Sequence, residues 1–102
     1  PAYVRHSPQR PEADSMCVVI ERNRAPTDID AFEWYCADCG TKVARREVNL
    51  KKIDEDLPKA FATFYDTPDS ERVCPHCSTV HPGRNWQAWH KSLAEHFPGT
   101  RL

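Results

Sequence analysis

The feature that most constrains this chain is the placing of four cysteines. Cys36 and Cys39 stand two residues apart, Cys74 and Cys77 repeat that spacing, and residues 40–73 separate the pairs. A C-x2-C segment can turn both sulfurs to one side of a tight loop, leaving backbone N–H groups to bond them, and two such loops complete a tetrahedron. Four thiolates in that arrangement hold zinc or iron, and ligand type does not choose between the two. A chain of 102 residues buries only a modest fraction of its surface, so a metal staple carries unusual weight in it. A closed thiolate site also has no vacant position for a substrate, so the site is read as structural. The fifth cysteine, Cys17, lies in the apolar run "MCVVIER" and is read as a buried free thiol.

The net charge is −1, with acids and bases interspersed, which gives no general attraction to nucleic acid or to an anionic membrane. Lys42, Arg45, Arg46, Lys51 and Lys52 form a modest basic cluster, but Asp54, Glu55 and Asp56 follow at once. Neither a nucleic-acid nor a membrane partner is expected. No apolar run approaches the ~20 residues that span a bilayer, and no secretory pattern opens the sequence. Paired C-x2-C spacings with one cysteine left over favour metal over disulfides in a reducing compartment, so the chain is read as soluble and cytoplasmic.

Along the chain, "YVRH" (3–6) and "MCVVIER" (16–22) read as two strands joined by the turn-forming "SPQRPEADS". The chain thus opens at what reads as the end of a strand, which points to the C-terminal piece of a longer protein. Residues 23–33, with Asn, Pro and Asp and no periodicity, read as a connector. Residues 34–84 hold the four cysteines. There "FEWYCADCG" is an aromatic strand running into the first cysteine loop, and "TKVARREVNL" is a second strand with Val43, Val48 and Leu50 as its apolar positions. "DLPKAFATFYDT" predicts a helix capped by Asp56, with Pro58 in its first turn and Leu57, Phe61, Phe64 and Tyr65 on one face. Residues 85–102 carry a terminal helix with a stripe of Trp86, Trp89, Leu93 and Phe97. His6, Arg10 and Glu21 are polar groups on the predicted hairpin, and position alone leaves open whether each is structural, solvated or a ligand.

The segments "VRHSPQRPE", "CVVIER", "FEWYC", "DLPKAFATFY", "CPHC" and "VHPGR", in this order, resemble the C-terminal half of the bacterial 3-hydroxyanthranilate 3,4-dioxygenase family. The resemblance runs from residue 1 to about residue 84 and leaves the terminal helix out as an appendage, expected to pack on the core or on a partner subunit. It implies a mainly β fold with short helices: residues 1–22 as C-terminal strands of a cupin double-stranded β-helix, then a small rubredoxin-like four-cysteine subdomain and the terminal helix. It implies a non-haem Fe(II) enzyme that converts 3-hydroxyanthranilate and O2 to 2-amino-3-carboxymuconate semialdehyde. The setting implied is tryptophan catabolism by the kynurenine pathway toward NAD biosynthesis, in a cytoplasmic homodimer. By the same resemblance His6 is a ligand of the catalytic iron, Arg10 receives the substrate carboxylate, and Glu21 bonds its amino and hydroxyl side. Cys36, Cys39, Cys74 and Cys77 hold a second iron or zinc. The other catalytic ligands belong to strands not found in this sequence, so the piece alone is expected to be inactive. The alternative is a stand-alone four-cysteine zinc or iron ribbon acting as a binding or electron-transfer module.

Overall fold

The computed structural model describes residues 4–7 and 12–96. Its centre is an antiparallel hairpin of β1 (Asp30–Tyr35) and β2 (Lys42–Val48), with Glu33 opposite Arg45 and Trp34 opposite Ala44. Tyr35 then pairs with Lys42, so Val43 is an extra residue that forms a bulge beside the first cysteine loop. The predicted aromatic and polar strands are therefore present. β1, however, begins at Asp30, inside the segment read as a connector, because Asp30 and Ala31 find partners in Val48 and Glu47.

Helix α1 (Ile53–Tyr65) packs on the hairpin. Trp34 stacks on Phe64 with ring centroids 4.3 Å apart, and Phe32 meets Phe61 edge to face at 5.0 Å. Trp34, Leu50, Ala60 and Phe64 form the buried core. The helix begins three residues before the predicted cap. Asp56 lies within it and reaches back, its Oδ2 accepting the N–H groups of Lys51 and Lys52 at 2.9 Å each. That backward reach satisfies donors a helix start leaves unpaired, and three acidic residues in the first turn complement the helix dipole. Pro58 consequently falls in the second turn.

After α1 the chain makes one turn of 3-10 helix at Asp69–Glu71, passes the second cysteine loop, and enters α2 (Trp86–His96). The loop region closes on Arg72, a buried guanidinium that donates to the carbonyl of Thr67, to Asp69 Oδ1 at 2.6 Å and to the carbonyl of His81 at 3.1 Å. Of the stripe predicted on α2, Trp89 donates from Nε1 to the Gly83 carbonyl at 2.7 Å and meets the His81 ring at 5.0 Å. The side chains of Trp86 and Leu93, and Phe97 as a whole, lie outside the description.

The front of the chain differs from the sequence expectation in two respects. Residues 4–6 and 16–22 form no strand, and Cys17 is exposed, as are Met16, Val18, Val19 and Ile20, the last at 92%. A strand needs a neighbouring edge to satisfy its backbone groups. Among the described residues the two named strands pair with each other and none pairs with 16–22, so its apolar side chains face outward. The structure thus shows a small two-stranded sheet with short helices around a four-cysteine cluster.

Candidate metal centre

The two cysteine loops are built alike. In the first, Cys36 N–H donates to the Thr41 carbonyl at 2.8 Å and Gly40 N–H to the Cys36 carbonyl at 2.9 Å. In the second, Cys74 N–H donates to the Thr79 carbonyl at 2.8 Å and Ser78 N–H to the Cys74 carbonyl at 3.1 Å. Gly40 and Ser78, at equivalent positions, both take positive φ, 75° and 65°, to complete the turn. Each loop then places a threonine hydroxyl against its second sulfur, Thr41 at 3.3 Å from Cys39 Sγ and Thr79 at 3.2 Å from Cys77 Sγ. The sequence carries this as two copies of C-x2-C-[GS]-T, a signal the spacing of the cysteines alone did not reveal. Thr79 also donates to Asp38 Oδ2 at 2.7 Å, linking one loop to the other.

The four Sγ atoms lie within 4.8 Å of one another, with Cys36 to Cys77 and Cys39 to Cys74 at 3.5 Å each. A sulfur–sulfur bond would need about 2.05 Å. A tetrahedron with metal–sulfur bonds of about 2.3 Å has edges of about 3.8 Å, so these residues fit a single tetrahedral ion. Cys36 and Cys74 are buried, while Cys39 and Cys77 are exposed. Burial pushes the Cys36 thiol up, to about 11. The Thr79 hydroxyl and backbone N–H pull Cys77 down to about 6, and Thr41 lowers Cys39 in the same way. A buried thiol with so high a pKa beside acidic ones is an arrangement that a cation would bring to four thiolates. His76 N–H points at Cys74 Sγ from 3.4 Å, one of the N–H groups that offset the site's negative charge.

Among the described residues the four cysteines are the group of ligand atoms that converges closely enough to hold an ion. His6 is exposed, and its Nδ1 lies 2.8 Å from the Val4 carbonyl, which leaves Nε2 as the free ring nitrogen. Glu21 is exposed and pairs with Arg24 at 3.0 Å, while Arg24 also holds Asp30 at 2.6 Å. Arg10 lies outside the described residues. The structure does not gather His6 and Glu21 with the cysteines. His81, which lacks any role in the sequence reading, is buried against Phe64 and Trp89, and its Nδ1 accepts the Gly83 N–H at 3.1 Å. Burial, and then Arg72, hold it near a pKa of 4, so it is a neutral core residue.

Among the described residues one carboxylate without a role in the sequence analysis, Glu33, has several partners. Glu33 accepts Arg5 Nε and Arg45 Nη1 on Oε1 at 2.9 Å each, and Tyr35 OH at 2.7 Å with Lys42 Nζ at 3.3 Å on Oε2. The Tyr35 hydroxyl and then Arg5 hold it down to about 2. Lys42 and Arg45 of the basic cluster are thus engaged internally.

The family model described as 3-hydroxyanthranilic acid dioxygenase matches residues 1–65. A 3-hydroxyanthranilate 3,4-dioxygenase of Cupriavidus pinatubonensis is 53% identical over 96 residues, covering 94% of this chain and 51% of the relative. Enzymes of the same name from Burkholderia cenocepacia and Paraburkholderia phytofirmans are 54% and 56% identical over 84 residues, covering 82% of this chain and 47% and 48% of the relatives. The chain spans about half the length of the curated relatives it matches. The alignment with the Cupriavidus relative, over 96 of 102 residues, takes in residues 85–96, whereas those with the Burkholderia and Paraburkholderia relatives extend over 84.

Proposed function

This chain belongs to the 3-hydroxyanthranilic acid dioxygenase family, and from that premise we propose that it forms part of a non-haem Fe(II) dioxygenase that opens the ring of 3-hydroxyanthranilate. The reaction adds O2 to the ring and places both oxygen atoms in 2-amino-3-carboxymuconate semialdehyde. The observation that carries the proposal is the family match over residues 1–65, which runs across His6, Arg10 and Glu21 as well as the first cysteine loop.

In this reading His6 offers Nε2 to the catalytic iron. The contact of its Nδ1 with the Val4 carbonyl supports that role, because a hydrogen bond there orients the ring and leaves the ligating nitrogen free. Arg10 receives the substrate carboxylate as a bidentate guanidinium fork. Glu21 turns from Arg24 to accept from the amino and hydroxyl side, orienting the ring. Ferrous iron, when bound, would supply coordination positions for the aminophenol and O2 and a path for electrons from one to the other. The four cysteines hold a second ion, zinc or iron, that staples the β1–β2 hairpin to the segment after α1. The residues 16–22 that face solvent here become a strand of a cupin barrel once barrel strands lie beside them. The whole protein acts in the cytoplasm as a homodimer, in tryptophan breakdown by the kynurenine pathway toward NAD.

The exposed sulfurs of Cys39 and Cys77 favour a second reading, an electron-transfer ribbon, since electrons could leave the site there. The match upstream of the cysteines weighs against it, because a ribbon has no use for residues 1–22. The deciding experiment is elemental analysis with native mass on a polypeptide of the relatives' length. The proposal expects two metal ions per chain, one lost in His6→Ala, whereas a single ion insensitive to His6→Ala would leave the ribbon.

A further inference from the structure

Glu33 lies on β1 three residues before Cys36, and its partners come from both sides of the first cysteine loop. Tyr35 immediately precedes Cys36 and Lys42 immediately follows Thr41. Arg45, opposite Glu33 in the register, completes the cage and is itself held by Glu47 at 2.8 Å. Tyr35, Lys42 and Arg45 are therefore parts of the hairpin that the cysteine loop closes. The fourth partner is not: Arg5 reaches Glu33 across 28 residues of sequence, and it is the residue between Val4 and His6. With four donors on two oxygens and its side chain only 8% exposed, the carboxylate is saturated and shielded from water, though Arg5 itself is 75% exposed.

We propose that Glu33 is a positioning residue that fixes the His6-bearing segment onto the β1–β2 hairpin, holding Arg5 on the oxygen it shares with Arg45. The proposal rests on the reading of His6 as an iron ligand only for its catalytic meaning, since the anchor itself stands on the contacts of Arg5. Val4 orients the imidazole from one side, and Arg5 ties the backbone that joins Val4 to His6. The four-cysteine ion thereby acquires a part in the chemistry without touching substrate. It closes the loop whose flanks hold Glu33, and Glu33 holds the segment that presents His6. Such a carboxylate cannot be exchanged for its amide without loss, because a neutral group facing three cations gives up the attraction that gathers them.

The test uses the metal-loaded 102-residue chain labelled with 15N, as wild type, Arg5→Ala, Glu33→Gln and the double variant. Backbone order parameters are measured at residues 4–7, with metal content per chain measured alongside. Wild type is expected to show order in this segment approaching the ~0.85 of rigid backbone, and each single variant to fall below about 0.6. The double variant is expected to fall no further, with one ion per chain and unchanged β1–β2 amide shifts away from position 33. Order that survives Glu33→Gln, or additive effects of the two substitutions, would overturn the anchor, as would a loss of order centred on the hairpin. A second arm measures iron retained by the polypeptide of the relatives' length. There Glu33→Gln and Arg5→Ala are expected to lose iron in step with each other and less completely than His6→Ala. If the order parameters behave as expected while His6→Ala keeps its iron, the anchor stands and the iron-ligand reading of His6 fails.

Discussion

Replacing Gly83 by alanine should destabilise the metal-loaded chain by about 3–4 kcal/mol, a large part of the ~5–15 kcal/mol typical of a small domain. Gly83 has φ of +59°, and a Cβ there would lie 2.8 Å from both Cζ and Nε of Arg72. The left-handed backbone costs a side chain roughly 1–2 kcal/mol. The contact adds a second cost, because Arg72 is buried and bonded to Thr67, Asp69 and His81, and moving it breaks at least one bond to a charged group, roughly 1.5–3 kcal/mol. Gly83 also donates to His81 Nδ1 and accepts from Trp89, so it has little room to retreat. Gly40 is the internal control. Its φ is +75° but a Cβ meets nothing within 4 Å, so Gly40→Ala should show the backbone cost alone, about 1–2 kcal/mol. The assay is urea unfolding at fixed metal content, read from the tryptophan fluorescence. Equal losses in the two variants, or a loss at Gly83 under about 0.5 kcal/mol, would refute the account of Arg72 as the buried clasp of residues 67–83.

Cys77→Ser should abolish tight binding of the ion and unfold much of residues 34–84, since structural zinc contributes on the order of 10 kcal/mol in small peptides; retention of one ion with unchanged melting would contradict the tetrahedral site. His81 should make stability pH-dependent. Its folded pKa, about 4, lies below the ordinary 6.5, so stability is present above 6.5 and lost as pH falls toward 4. The loss at full protonation amounts to about 3 kcal/mol. His81→Asn should flatten that part of the stability profile at constant metal content, and an unchanged slope would remove His81 as its source. In a polypeptide of the relatives' length, Arg10→Ala should weaken substrate binding by a few kcal/mol, roughly 2–5, at unchanged iron content, and His6→Ala should deplete iron. Exchanged phenotypes, by binding titration and elemental analysis, would reverse the two roles.

What could be read from the sequence was what local spacing determines. Two residues between cysteines permit only a tight loop, and the aromatic strand around Trp34 and the helical recurrence of Phe61 and Phe64 appear as packed faces. Cys17 and the strand expected over 16–22 differ from the structure because a strand is completed by its neighbours, and the described residues supply none. The cap at Asp56 was misplaced because a carboxylate inside a helix can satisfy donors ahead of it, as those of Lys51 and Lys52 show. Glu33 and Arg72 were invisible for a different reason. Their partners lie far off in sequence or on backbone carbonyls, and no periodicity encodes a glutamate that collects Arg5, Lys42 and Arg45. The terminal helix lay outside the resemblance, but its stripe of apolar residues announced a packed face, and Trp89 does pack on His81.

The proposed role of this chain is to supply His6 and the four-cysteine centre to a ring-opening dioxygenase. It is tested most directly by joining the chain to the part of the Cupriavidus relative that it does not match, then following semialdehyde absorbance with ferrous iron, O2 and 3-hydroxyanthranilate. The account predicts turnover by the joined protein, loss of that turnover in His6→Ala, and none by residues 1–102 alone. Turnover by the chain alone above that of free iron, or a joined protein that binds both metals and forms no semialdehyde, would contradict it.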